Sequence, residues 1–454
     1  MSRTSPRSLR ATTPSSPSGR GTRLRAAQVI PIAGPPIADG SVAIRGGQIV
    51  GVGPADQISR EWRHLPERDL GDAILLPGFV DAHSHLEWSL TGGLVEAGGF
   101  AGWLGALLAL SPRMGIDDHQ AAAAVGALRC LQHGTTTVAD SGPTGAGAAA
   151  LREAGLRGIV HLEAFGRHTG DAARDAAIAI AKRVVALDDH SCTRVHIGVS
   201  PHAPYTVGPD FWEALVNHPD LARRSWATHL AESPDESELL GSGTGPLARL
   251  FTARGTEPGR WPGQGSPVAR LDRAGVLRPG LIAAHCVQLD PDDPARLAAA
   301  GVGVAHCPLS NATLACGHAP IARLRDAGVT LGLGTDSPAS AGDYDVRADG
   351  RAAGLIASLT HAEIVELATL GGATTLGLDR LVGSIEIGKR ADLIAITGAP
   401  NDPDPYAAAL DPTARVSLVL VDGIVLLEDG EPVTLDPSAI LTRAAASRRR
   451  LTAG

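Results

Sequence analysis

Two lysines, Lys182 and Lys389, are all that the 454 residues contain. A Schiff-base enzyme needs a lysine beside its substrate, and a two-metal centre bridged by a carboxylated lysine needs one at a strand end. Neither lysine sits at a predicted strand end. The strand on which such a bridge would be expected reads Val195-His196-Ile197-Gly198-Val199-Ser200-Pro201-His202 instead, so if the chain holds metal, one ion is expected. Cysteine is also scarce. The five thiols (Cys130, Cys192, Cys286, Cys307, Cys316) are odd in number, form no C-x-x-C and sit mostly in apolar runs, which predicts reduced intracellular thiols and no disulfides. No apolar stretch approaches the ~18 uncharged residues of a membrane span, and no apolar segment follows the N-terminal arginines. A cytoplasmic protein without a membrane partner is expected. Positive charge is not in excess either: a net charge of -8 offers no basic face to nucleic acid.

What is present is ordinary globular material, 44% hydrophobic and 19% charged, long enough for one large domain with a smaller appendage. Residues 1–24, rich in Ser, Pro, Thr, Arg and Gly, read as a disordered tail. Strand-like pieces at 41–45 and 48–52 meet at Gly46-Gly47 as a hairpin. A matching pattern returns at 391–396 and 416–421, followed by Asp422-Gly423. Residues 25–76 and 380–435 are therefore expected to build one small β-sandwich domain from both chain ends, with 436–454 as a helical tail.

Between them, in 77–379, strand candidates alternate with Ala/Leu-rich helical stretches. One strand ends at His85, and the others lie at 135–140, 158–165, 194–200, 225–230, 281–285, 302–306 and 329–336. Eight such units argue for a (β/α)8 TIM barrel, an α/β fold, although a doubly wound sheet shows the same alternation. Polar groups decide where chemistry would sit: His85, Asp140, His202, His229, His285, His306 and Asp336 fall at or just past the C-terminal ends of these runs. A barrel gathers those ends into one mouth.

His83 and His85 lie two apart on one strand and so face the same way. With His229 and Asp336 they supply three nitrogens and an oxygen, a set that suits zinc or ferrous iron and leaves one position open for water, whose pKa falls toward ~7 on such a cation. Asp336 can contact metal and take the proton of that water. Glu232, three residues after His229, can shuttle protons between water, a ring nitrogen and a leaving group; the alternative is a solvated glutamate, because 233–236 reads as a helix start. His285 can hydrogen-bond the attacking water, and His202 can touch substrate.

These residues carry a resemblance. The run Pro77-Gly78-Phe79-Val80-Asp81-Ala82-His83-Ser84-His85, the strand Gly134 to Asp140, Ser200-Pro201-His202, His229-Leu230-Ala231-Glu232, Ala284-His285-Cys286, His306-Cys307-Pro308-Leu309-Ser310-Asn311 and Gly334-Thr335-Asp336-Ser337 stand in the order of the amidohydrolase superfamily. The chain is similar to its cytosine-deaminase-like and chlorohydrolase-like branch. The resemblance implies that His83, His85, His229 and Asp336 hold one divalent metal, zinc before iron, that Glu232 and His285 assist proton transfer, and that His202 contacts a small-molecule substrate. Glu232 favours deamination of an aminated heterocycle or nucleoside over dehalogenation. His85-Leu86-Glu87-Trp88 and Leu162-Glu163-Ala164-Phe165-Gly166 resemble enzymes that deaminate 6-amino-6-deoxyfutalosine on a route to menaquinone, with Trp88 at the substrate; S-adenosylhomocysteine, methylthioadenosine and guanine-type deaminases share the catalytic set. A chlorohydrolase or amidase reaction at the same site, and a catalytically silent barrel, are the rival readings.

Two departures stand out. Leu309 replaces the usual arginine, and no plain acid follows Asp336, with Asp343, Asp345 and Asp349 as stand-ins. The stretch 241–267 reads as a long irregular loop, either a lid over the mouth or a surface insertion. A homodimer is left open.

Overall fold

The computed structural model describes residues 21–95, 98–189, 191–257, 261–398 and 402–453. Most of the expected tail, 1–20, lies outside the described residues. Its last part is corrected: a strand already runs over Thr22–Val29, because Leu24, Ala26 and Val29 alternate into an apolar cluster.

Eight strands, Phe79–Ser84, Thr135–Gly142, Arg157–Ala164, Val195–Pro201, Trp226–Leu230, Leu281–His285, Gly303–His306 and Leu331–Leu333, form one sheet in which each pairs in parallel with the next. All eight expected strands are present. The first and last meet at a Ser84–Asp336 bridge, where the His85 amide donates to Asp336 O (2.9 Å) and the Asp336 amide to His83 O (3.0 Å). A doubly wound sheet would leave those two edges apart, so the architecture is the (β/α)8 barrel.

Small side chains fill the barrel. Val80, Ala82, Ala139, Ile159, Ala227, Ile282 and Ala305, from six of the strands, share a cluster with Ala373, Leu376 and Val382. The period of two then decides what reaches the mouth. His229 follows Ala227 by two residues and Glu163 follows Ile159 by four, so both continue an inward face. On the first strand the register shifts between Asp81 and Ser84, and this irregularity falls where His83 leaves the strand interior for the mouth.

The chain ends build the second unit. Thr22–Val29, Ile37–Arg45, Gln48–Pro54, Glu67–Asp69 and Ile74–Pro77 join Leu393–Thr397, Arg415–Val421, Ile424–Glu428 and Glu431–Pro432 in one nine-stranded sheet. The halves connect where Leu393–Thr397 runs antiparallel to Ile74–Pro77. Leu393 and Ala395 pack into the sheet's own cluster with Leu24, Val42 and Leu418, while Ile394 and Ile396 face the barrel's apolar shell.

A buried ion network joins the two units. Arg157, the first residue of the third barrel strand, bonds Asp392 (Nε to Oδ2, 2.7 Å) and Asp422 (Nη2 to Oδ1, 2.6 Å), and Arg390 reaches the same Asp422. Removing one partner leaves buried charge uncompensated. Arg157→Ala is therefore expected to lower unfolding stability by about 3–5 kcal/mol, read from denaturant unfolding; a loss within ~0.5 kcal/mol, the range of neutral surface changes, would refute the network's role.

The C-terminal helix Pro437–Thr452 starts at Asp436, whose carboxylate accepts from the Ala439 amide. It lies along helix Ile116–Gln132 and bonds it through Arg450 and Asp118. The stretch 241–267 is not structureless: helix Pro246–Ala253 occupies part of it, with Pro246 at its first turn, where a missing N–H costs nothing. Among the described residues no helix is long and apolar enough to cross a membrane, and the five cysteines are free.

Candidate active site

Three imidazoles and one carboxylate meet at the C-terminal mouth. His83 and His85 leave the first strand, His229 the fifth, and Asp336 the turn after the eighth. One ring nitrogen from each of His83, His85 and His229 lies within 4.8 Å of the others, and Asp336 Oδ1 is 3.5 Å from His85 Nε2. The turn can come this close because Gly334 has no side chain: a Cβ there would lie 2.9 Å from His83 O. Asp81 ties the same turn to the first strand, accepting from the Thr335 amide (3.1 Å) and hydroxyl (2.5 Å).

The rings are oriented from behind. The Nδ1–H of His85 donates to Ser141 O (2.8 Å) and that of His229 to His202 O (2.9 Å), so each presents a bare Nε2, and the two Nε2 atoms are 3.0 Å apart. Two neutral lone pairs at that distance repel unless a cation lies between them. Protonation is opposed by burial, which with the neighbouring His85 draws His229 down to about 4 and drives His83 well below its usual value. His83 Nε2 is itself buried without a hydrogen-bond partner. The donor set thus fits a divalent metal. Asp336 completes it: burial favours its neutral form, but the neighbouring His85 and His285 imidazoles and the Ser310 hydroxyl outweigh burial and hold it below the usual carboxylate range.

Backbone strain collects at the same place. Ala231, His285, Cys286 and Asp336 all take left-handed φ (52°, 72°, 49° and 57°), a conformation that costs non-glycine residues of order 1–3 kcal/mol and persists where surrounding bonds over-determine it. Here amides of 286, 287 and 288 bond back to Leu230 O and Ala231 O.

Above the cluster opens a cavity of about 470 Å³ lined by His85, Trp88, Glu163, His202, His229, Glu232, His285 and Asp336 among others. Glu232 is 3% exposed, so it is not the solvated glutamate of a helix start, although helix Pro234–Ser242 does begin two residues later with Ser233 as its cap. Burial, then Asp336 and Glu236, raise its carboxyl well above the usual range. Its Oε1 lies 3.5 Å from His285 Nε2, and His285 Nδ1 is held by Asn311 Oδ1 at 2.9 Å. His202 stacks against Phe165 (4.8 Å between centroids) and bonds Thr206. Phe100, Trp103, Leu104, Leu107, Leu108 and Phe251 supply an apolar wall, and no lysine or arginine among the described residues lines the space.

Other strand-end groups stay outside it. Asp140 accepts from the Leu86 amide (2.7 Å), and His306 is buried with both ring nitrogens unpartnered; neither lines the cavity. The three acids proposed to stand in after Asp336 are corrected likewise. Asp343 pairs with Arg129 and His133, Asp345 caps helix Val346–Ala357, and Asp349 accepts from the Leu309 amide. Sequence reading missed Glu163 as a cavity residue. Its signal was the inward face 159, 161, 163.

Asp336 Oδ2 accepts from Ser310 Oγ (2.5 Å) and Ser340 Oγ (3.0 Å). Such outer partners are worth 10–100-fold in metal affinity. Ser310→Ala is expected to weaken zinc retention by about 10-fold or more in chelator competition, and an unchanged affinity would assign the bond to folding alone.

Fold and site together describe a (β/α)8 barrel with a candidate single-metal centre at its mouth. Residues 74–426 match the model of the amidohydrolase family. The 5-methylthioadenosine/S-adenosylhomocysteine deaminase of Moorella thermoacetica is 32% identical over 91% of this chain and 95% of its own. An adenosine deaminase from Xanthomonas campestris, solved with bound zinc, superposes with TM-score 0.80 and 28% identity over 95% of this chain and 98% of that one. Aminofutalosine deaminase of Helicobacter pylori, solved with methylthio-coformycin, shares the fold at TM-score 0.79 and 22% identity over 89% of this chain and 100% of its own. The chain belongs to the amidohydrolase family.

Proposed function

We propose that this protein hydrolytically deaminates the adenine ring of a nucleoside bearing an apolar 5′ group, releasing ammonia. His83, His85, His229 and Asp336 hold one divalent ion, zinc with ferrous iron as the alternative. When bound, that ion acts as a Lewis acid that makes water nucleophilic near neutral pH. Asp336 takes a proton from the attacking water. Glu232 hands its carboxyl proton to a ring nitrogen, and His285, fixed by Asn311, supports the developing charge. Proton return then lets the amine leave as ammonia while the ring carbon keeps oxygen.

The observation that carries this reading is Glu232 itself, a buried carboxyl that lines the cavity 3.5 Å from His285 and whose pKa burial raises. The apolar wall and the Moorella relative favour 5′-methylthioadenosine. A second reading, 6-amino-6-deoxyfutalosine and a place in menaquinone biosynthesis, is supported by Trp88, Phe100 and Trp103, which offer aromatic faces to an aromatic substituent. The free thiols support a cytoplasmic location.

Ammonia release from 5′-methylthioadenosine, S-adenosylhomocysteine, adenosine, 6-amino-6-deoxyfutalosine, guanine and cytosine tests the proposal. An adenine nucleoside with an apolar 5′ group is expected to give the highest kcat/KM. Activity on chloro-triazines or amides alone would overturn it.

A further inference from the structure

Glu163, the last residue but one of the third barrel strand, is 4% exposed and lines the cavity, yet its Oε1 is buried without a hydrogen-bond partner. His85 Nδ1, 4.0 Å away, cannot satisfy it, because that N–H is committed to Ser141 O. No lysine or arginine among the described residues lines the cavity to pair with that carboxyl. A buried acceptor of this kind is costly unless a ligand brings donors to it.

One candidate is a second cation, since Glu163, His202 and His229 also present ligand atoms within 4.8 Å of one another. His229 argues against it. Its Nδ1 is bonded to His202 O and its Nε2 faces His85 Nε2 at 3.0 Å, so it has no nitrogen left to give. Glu163 and His202 then face substrate. Around the mouth, the strand that carries His202 separates those carrying Glu163 and Glu232. Two strand spacings are roughly 10 Å, about the reach of a purine nucleoside from its N1 edge to the sugar hydroxyls. With Glu232 on the ring, that spacing would bring the sugar within reach of Glu163.

We propose that Glu163 is the specificity residue for the sugar, accepting hydrogen bonds from the ribose hydroxyls of the nucleoside. The inference rests on the nucleoside reading above and adds the ribose to it. An acid at this point selects neutral ligands with adjacent hydroxyls and disfavours deoxy-sugars, which leave it unpaired.

The test measures kcat/KM for ammonia release from 5′-methylthioadenosine or adenosine and from their 2′-deoxy and 3′-deoxy counterparts, in the metal-loaded full-length protein. Wild type is expected to prefer the ribonucleoside by about 10- to 100-fold over at least one deoxy form. Glu163→Ala should erase that preference, mostly through KM, and leave turnover of the deoxy form within about threefold; Glu163→Gln should reduce it. Metal content and thermal midpoint verify that the variants fold, and the wild-type comparison needs no variant. Equal turnover of ribo and deoxy substrates by wild type overturns this inference alone. So does a variant that loses ribo and deoxy activity in parallel, or a metal stoichiometry that falls from two to one in Glu163→Ala. A wild type that releases ammonia from no adenine nucleoside overturns the nucleoside reading and this inference with it.

Discussion

His83→Ala is expected to strip the bound metal and lower ammonia release by at least about 10³-fold, the several kcal/mol that a Lewis-acid centre supplies. His83 is the sharpest place to ask the question. Its Nε2 has no hydrogen-bond partner within the protein, so truncation breaks no hydrogen bond at that nitrogen. The ring also sits edge-on to both His85 and His229, at 4.8 Å between centroids in each case, which places it as the floor of the cluster. Two measurements separate the readings: metal content of protein purified without chelator, and activity after zinc is added back. Wild type treated with a chelator should fall as far and recover with zinc or ferrous iron. A His83→Ala protein that keeps both metal and activity would mean that the cluster is a packing feature, and a wild type that binds no ion at all would favour a silent barrel.

How much of this was readable beforehand depends on the kind of signal. The barrel strands were legible because each is a short apolar run that ends in a polar residue, and His83 and His85 because a spacing of two needs no knowledge of partners. Glu163 was quoted within a motif yet not recognised as a site residue. Its strand, Arg157–Ala164, is buried throughout, and the one signal of its inward face was the alternation of His161 and Glu163 with Val160, Leu162 and Ala164. Asp343 misled for the opposite reason: nearness to Asp336 in sequence says nothing of Arg129 and His133, partners more than 200 residues away. The union of the two chain ends in one β-domain was legible from the matching strand patterns, but its form as a single nine-stranded sheet joined through Ile74–Pro77 and Leu393–Thr397 rests on long-range pairing that the pattern does not show. In 241–267, glycine and proline suggested irregular chain, whereas Pro246 opens a helix.

Glu232→Gln is expected to cut deamination by roughly 10²- to 10⁴-fold, the contribution of a positioned acid/base, with metal content unchanged. The substitution preserves volume and the acceptor that faces His285, and it removes only the ability to give and take a proton. That ability matters when a ring nitrogen must be protonated before ammonia can leave. It matters little when chloride departs, since a chloride leaving group needs no proton. The variant therefore discriminates between reactions as well as testing a residue: a protein whose activity on its best substrate survives Glu232→Gln is breaking a bond other than ring carbon to amine. Burial sharpens the contrast. Burial first, and Asp336 and Glu236 second, push the Glu232 carboxyl above the usual range, and Glu236 is tied down by the amides of Ala231 and Glu232 (3.2 and 2.7 Å). The backbone that carries the acid is thus anchored independently of its side chain, and Glu232→Gln should leave the thermal midpoint near that of wild type while turnover collapses.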